Sequence, residues 1–67
     1  MGWLAFNRLE NGKHQYVEGA LTIEFDETGL LTVFKNAEVV HVKQFQSKIK
    51  AMLGVEPIYH KYKTLNQ

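Results

Sequence analysis

Three histidines, His14, His41 and His60, are the first residues to test for chemistry, because three imidazoles around one zinc ion with an open fourth position make a hydrolytic site. Their spacing gives no support for it. No two fall at a His-x-x-x-His separation, so three unrelated positions would have to converge through the fold. Glu24, Asp26 and Glu27 form an acidic cluster, yet Glu24 belongs to an alternating segment that points it at solvent, Asp26 and Glu27 have the composition of a turn, and no twelve-residue calcium loop surrounds them. Nucleophilic catalysis has little to work with: cysteine is absent, Ser47 is the only serine, and neither a glycine-rich phosphate loop nor a Gly-x-Ser-x-Gly elbow occurs. The expectation is a chain that is not an enzyme, with no catalytic residues, no metal and no cofactor.

Binding chemistry is better represented. In Tyr59-His60-Lys61-Tyr62-Lys63, lysines suited to phosphates alternate with rings suited to stacking on bases or filling a protein pocket. Charge is also polarised. Arg8 and Lys13 against Glu10, Glu18, Glu24, Asp26 and Glu27 leave residues 1–34 at −3, while six lysines against Glu38 and Glu56 leave 35–67 at +4. A nucleic-acid interface built on this half would use Lys43, Lys48, Lys50, Lys61 and Lys63, but Arg8 is the only arginine and no helix-turn-helix or RNP-like motif accompanies them. A protein interface would use Trp3, Tyr59 and Tyr62. Strict alternation puts Trp3 and Phe6 on opposite faces of a first strand, so one of the two faces a tail, a second subunit or a partner.

The elements that must position these groups are legible from periodicity. Asn11-Gly12 between two apolar-rich segments predicts a two-residue type I′ hairpin joining strands near 3–10 and 13–18. Leu21, Ile23 and Phe25 alternate with Thr22 and Glu24 in a half-buried strand, and Asp26-Glu27-Thr28-Gly29 turns the chain into Leu30–Phe34. After Lys35-Asn36-Ala37, residues 38–42 read as a further strand. The period then changes, with Phe45, Ile49, Met52 and Leu53 falling on one helical stripe, Gly54 placed to end that helix and Pro57 beyond it. A helix near 43–53 and a core of Leu21, Ile23, Phe25, Phe45, Ile49 and Met52 follow.

The fold class is therefore α+β: a small antiparallel β-sheet of about five short strands, meander-like and open or closed into a barrel, with one C-terminal amphipathic helix. Residues 1–57 are expected to form the single domain and 58–67 a basic-aromatic tail. At 67 residues without cysteine, one small core must suffice, and homodimerisation or a partner is a natural supplement. No apolar run approaches the ~20 residues needed to cross a bilayer, so no membrane association is expected and the cytoplasm is the expected location. The expected function is a small protein-binding module, regulatory or inhibitory, that occupies a partner's surface; the alternative is nucleic-acid binding through the lysine-rich half.

Overall fold

A computed structural model describes residues 6–65; Trp3 and the start of the expected first strand lie outside the described residues. Five strands, β1 (Asn7–Arg8), β2 (His14–Glu18), β3 (Leu21–Phe25), β4 (Leu30–Lys35) and β5 (Glu38–Gln44), pair antiparallel in sequence order, and helix α1 (Lys48–Leu65) follows. The sheet is an open meander, not a barrel, since β1 and β5 do not meet. No described helix is long and apolar enough to cross a membrane.

Each turn is set by its residue types, although not always as the sequence suggested. The first hairpin is not closed by a two-residue Asn11-Gly12 turn. The Gly12 amide donates to the Leu9 carbonyl (3.0 Å), the Leu9 amide donates to the Lys13 carbonyl (2.7 Å), and only Gly12 (φ +87°) is left-handed, which is a three-residue loop ending in a glycine bulge. Asn11 holds it through Oδ1, which accepts the Lys13 amide at 3.0 Å. The same geometry recurs at Asp26–Leu30, where Gly29 (φ +96°) is the left-handed residue and Asp26 Oδ1 accepts from Thr28 Oγ1 (2.6 Å), the Thr28 amide (2.9 Å) and the Leu30 amide (3.0 Å). Those donors, the Thr28 hydroxyl foremost, hold the Asp26 carboxyl below its ordinary range.

The two-residue turn with two left-handed positions is instead Asn36-Ala37 (φ +55° and +66°), between the paired residues Lys35 and Glu38. Asparagine tolerates this conformation, but alanine brings its Cβ against the following carbonyl. Ala37→Gly is expected to stabilise the protein by about 0.5–1 kcal/mol, raising the thermal midpoint by roughly 4 °C in a domain this small. Calorimetry of the variant beside its parent checks this; an unchanged or lower midpoint would contradict it.

Alternation sorts the sheet into two faces. Leu21, Ile23 and Phe25 of β3 and Leu31 and Val33 of β4 are buried beneath α1, which supplies Ala51, Val55 and Tyr59. Phe6, Tyr16, Phe45, Ile58 and Tyr62 close the margins of this core. The core expected from the sequence was thus right for Leu21, Ile23 and Phe25, right in part for Phe45, which packs against its margin, and wrong for Ile49 and Met52. Ile49, Met52 and Leu53 are 58%, 39% and 61% exposed, while Ala51, Val55, Ile58, Tyr59 and Tyr62, at i, i+4, i+7, i+8 and i+11, form the buried stripe.

The helix itself also begins and ends later than 43–53. Lys43 and Gln44 remain in β5, opposite Leu31 and Leu30, and Ser47 caps α1, its Oγ accepting the Lys50 amide at 3.2 Å and its carbonyl the Ala51 amide at 3.0 Å. Gly54 does not terminate anything. A Cβ there would lie 2.6 Å from the Phe45 ring, so Gly54 is the notch that lets Phe45 pack across the helix. The helix continues through Pro57 and across residue 58, carrying the basic-aromatic segment as its last two turns.

Candidate protein-interaction surfaces

Where the start of α1 passes the β1–β2 edge, the side chains leave a groove of about 250 Å³. Phe6, Phe25, Met52, Leu53 and Val55 give it apolar walls, with His14, Lys48 and Glu56 beside them. Strand pairing explains His14: it stands opposite Phe25 in β2–β3 and stacks on that ring, with centroids 5.0 Å apart and planes 23° apart. Its Nε2 is buried and has no hydrogen-bond partner among the described residues. Ile49, Met52 and Leu53 extend the apolar surface outward along the adjoining flank of α1. The volume lies between the ~150 Å³ cavity that accepts a benzene ring and the ~300–1,000 Å³ pockets of drug-sized ligands, so it suits one large side chain.

At the opposite end of β2 a polar cluster ties helix to sheet. Glu18 Oε1 accepts hydrogen bonds from Tyr16 Oη (2.5 Å) and Tyr59 Oη (2.8 Å), and the two rings meet edge to face with centroids 5.7 Å apart. The hydroxyl of Tyr16, then that of Tyr59, and the nearby Lys63 charge hold the Glu18 carboxyl below its ordinary value, and the bond to Glu18 in turn pushes the Tyr16 hydroxyl up. Because the folded state depresses the Glu18 value, this contribution to stability is complete above the glutamate value of 4.5 found without the fold. It is lost as pH falls through the lower, folded value. Tyr59→Phe should therefore flatten the acid limb of stability below pH 4.5 and leave the neutral plateau less affected in slope, measured by urea unfolding across that range. Parallel acid limbs in parent and variant would refute the coupling.

This geometry redistributes the residues singled out for binding. Tyr59 is buried, its ring in the core and its hydroxyl on Glu18, and Tyr62 is half-buried with its ring 5.8 Å from that of His41. Tyr59 presents no open ring to a partner, whereas Tyr62 keeps part of its side chain exposed. The lysines lie on two elements: Lys43 sits on β5 with Nζ 5.0 Å from the Phe45 ring, while on α1 Lys48 lines the groove and Lys63 lies 5.3 Å from the Tyr59 ring. Lys50 and Lys61, the latter 5.6 Å from the Tyr62 ring, share the outward face of α1 about three turns apart. His14, His41 and His60 are not brought together, and no group of three potential metal ligands occurs among the described residues.

Two further surfaces lie on the sheet, and the sequence pointed only to the second, as an unpaired strand edge. The sheet face away from α1 is mostly polar over β2 and β3, where Gln15 Nε2 donates to Glu24 Oε2 (2.8 Å) and Lys13 approaches Glu24 (3.9 Å), with Val17 the exposed apolar exception. Over β4 and β5 it is apolar, with Leu30, Phe34, Val39 and Val42 facing outward and Val40 exposed at a bulge opposite Val33 and Phe34. Beyond it runs the edge of β5, seven residues long and paired, among the described residues, on one side only. No family model, no curated protein and no solved structure matches this chain.

Proposed function

We propose that this protein is a non-enzymatic protein-binding module that regulates or inhibits a partner by occupying its surface. The groove beside α1 supports the reading: it is apolar, of side-chain size, and continuous with exposed Ile49, Met52 and Leu53. The matching anchor is one large apolar or aromatic side chain that fills the groove between Phe6, Phe25, Met52, Leu53 and Val55. Trp3, expected to contribute to binding, precedes Phe6 of the groove wall by three residues in the sequence.

Affinity capture with tagged wild type, Leu53→Asp and Ile49→Asp tests the proposal, since both side chains are exposed and the fold should survive, as circular dichroism would verify. Loss of an anchor contact of ~2 kcal/mol weakens binding about 30-fold. A protein held by wild type through high-salt washes and lost from Leu53→Asp is the expected result. The alternative predicts a different outcome: oligonucleotides bound saturably at physiological salt, with a salt slope that Lys61→Gln and Lys63→Gln together reduce, would replace a protein partner with a nucleic acid.

A further inference from the structure

We propose that β5 joins β5 of a second copy, antiparallel about a two-fold axis, to make one continuous sheet from two chains. The strand has the attributes of a pairing template. It is long, carries no proline, exposes Val39 and Val42 at 55% and 53%, and pairs on one side only among the described residues. By contrast β1, at the other edge, is two residues long.

The register follows from the bulge. Residues opposed across an antiparallel pair must share a sheet face, and in a regular strand residues three apart do not. In β5 they do: Val39 lies across from Phe34 and Val42 across from Thr32, both on the face away from α1, because Val40 is the extra residue between them. Glu38, across from Lys35, and Lys43, across from Leu31, likewise share the face toward α1. A two-fold axis between Val40 and His41 therefore places Val39 against Val42 of the second copy and Glu38 against its Lys43, each twice. A register centred on His41 would set Val39 against Lys43 from opposite faces. One alignment alone satisfies face and charge together, and it brings four valines to the seam on the uncovered face of the joined sheet.

Sedimentation equilibrium and covalent trapping test this. Wild type should sediment at twice the 7.8 kDa chain mass. Glu38→Lys, which sets lysine against lysine at both symmetric pairs, should weaken the dimer about tenfold, and the double variant Glu38→Lys, Lys43→Glu should restore it. As the chain has no cysteine, Val39→Cys mixed with Val42→Cys should yield a disulfide-linked heterodimer that neither variant forms alone. A monomer at every concentration up to about 1 mM overturns the proposal. So does a dimer unaffected by Glu38→Lys, or one that crosslinks equally in Val39→Cys alone.

Discussion

Gly29→Ala is expected to leave the protein largely unfolded at room temperature. Gly29 is buried with φ +96°, and a Cβ there would lie 2.7 Å from both the Phe45 and Ser47 carbonyl oxygens. Those are backbone atoms, which cannot swing aside as a side chain would. The Phe45 amide moreover donates to the Gly29 carbonyl at 2.8 Å, and Gln44 Nε2 donates to the Thr28 and Phe45 carbonyls, so the turn and the β5–α1 connection are clamped. Conformational strain alone costs about 1–2 kcal/mol, and opening the clamp brings the total to roughly 3–5 kcal/mol. A core this small supplies about that much net stability. Gly19→Ala is the control: its φ is +60° but nothing lies within 4 Å of the added carbon, so only the conformational cost applies. Urea unfolding of both variants decides the matter, and a Gly29→Ala midpoint close to that of Gly19→Ala would refute the steric account.

The second large effect separates two isoleucines. Ile23→Ala should cost about 2–5 kcal/mol, because its side chain is fully buried between β3 neighbours and α1 and leaves a cavity when removed. Ile49→Ala should cost within about 0.5 kcal/mol, as exposed substitutions do. The stripe visible in the sequence assigns Ile49 the larger value, so comparing their chemical-denaturation midpoints tests which face of α1 is buried.

The strands were readable because their signals are local. Alternation at Leu21, Ile23 and Phe25 fixes a face, and Gly19 and Gly29 mark two of the turns whatever the rest of the chain does. The helix was not, because its decisive contacts are distant. Gly54 and Pro57 carry ordinary stop signals, and only the Phe45 ring pressed on Gly54 and the burial of Val55 and Tyr59 against the sheet explain why the helix runs on. Local turn chemistry also ranked Asn11-Gly12 above Asn36-Ala37 for the left-handed pair, whereas the close pairing of Lys35 with Glu38 imposes it on an alanine. The groove followed the same logic. Nothing local links Phe6, His14 and Leu53 to one another, and two residues that border the groove, Phe25 and Met52, had been assigned to the core.

Strand order has a consequence for how fast the protein forms. Every strand pairs with its immediate neighbour in the chain, through loops of two or three residues after the two short turns and the two glycine-bulge turns, so the sheet can zip one hairpin at a time. Hairpins close in about 1–10 μs, and local topologies of this kind escape the slow search that distant strand pairings demand. Among the described residues the encounter between remote parts of the chain is the arrival of α1 on the sheet, with the Tyr59 hydroxyl reaching Glu18 forty-one residues back. That docking closes the longest loop joined by a side-chain hydrogen bond among the described residues, so it is expected to follow the hairpins, and the contact it makes is one that acid is expected to loosen.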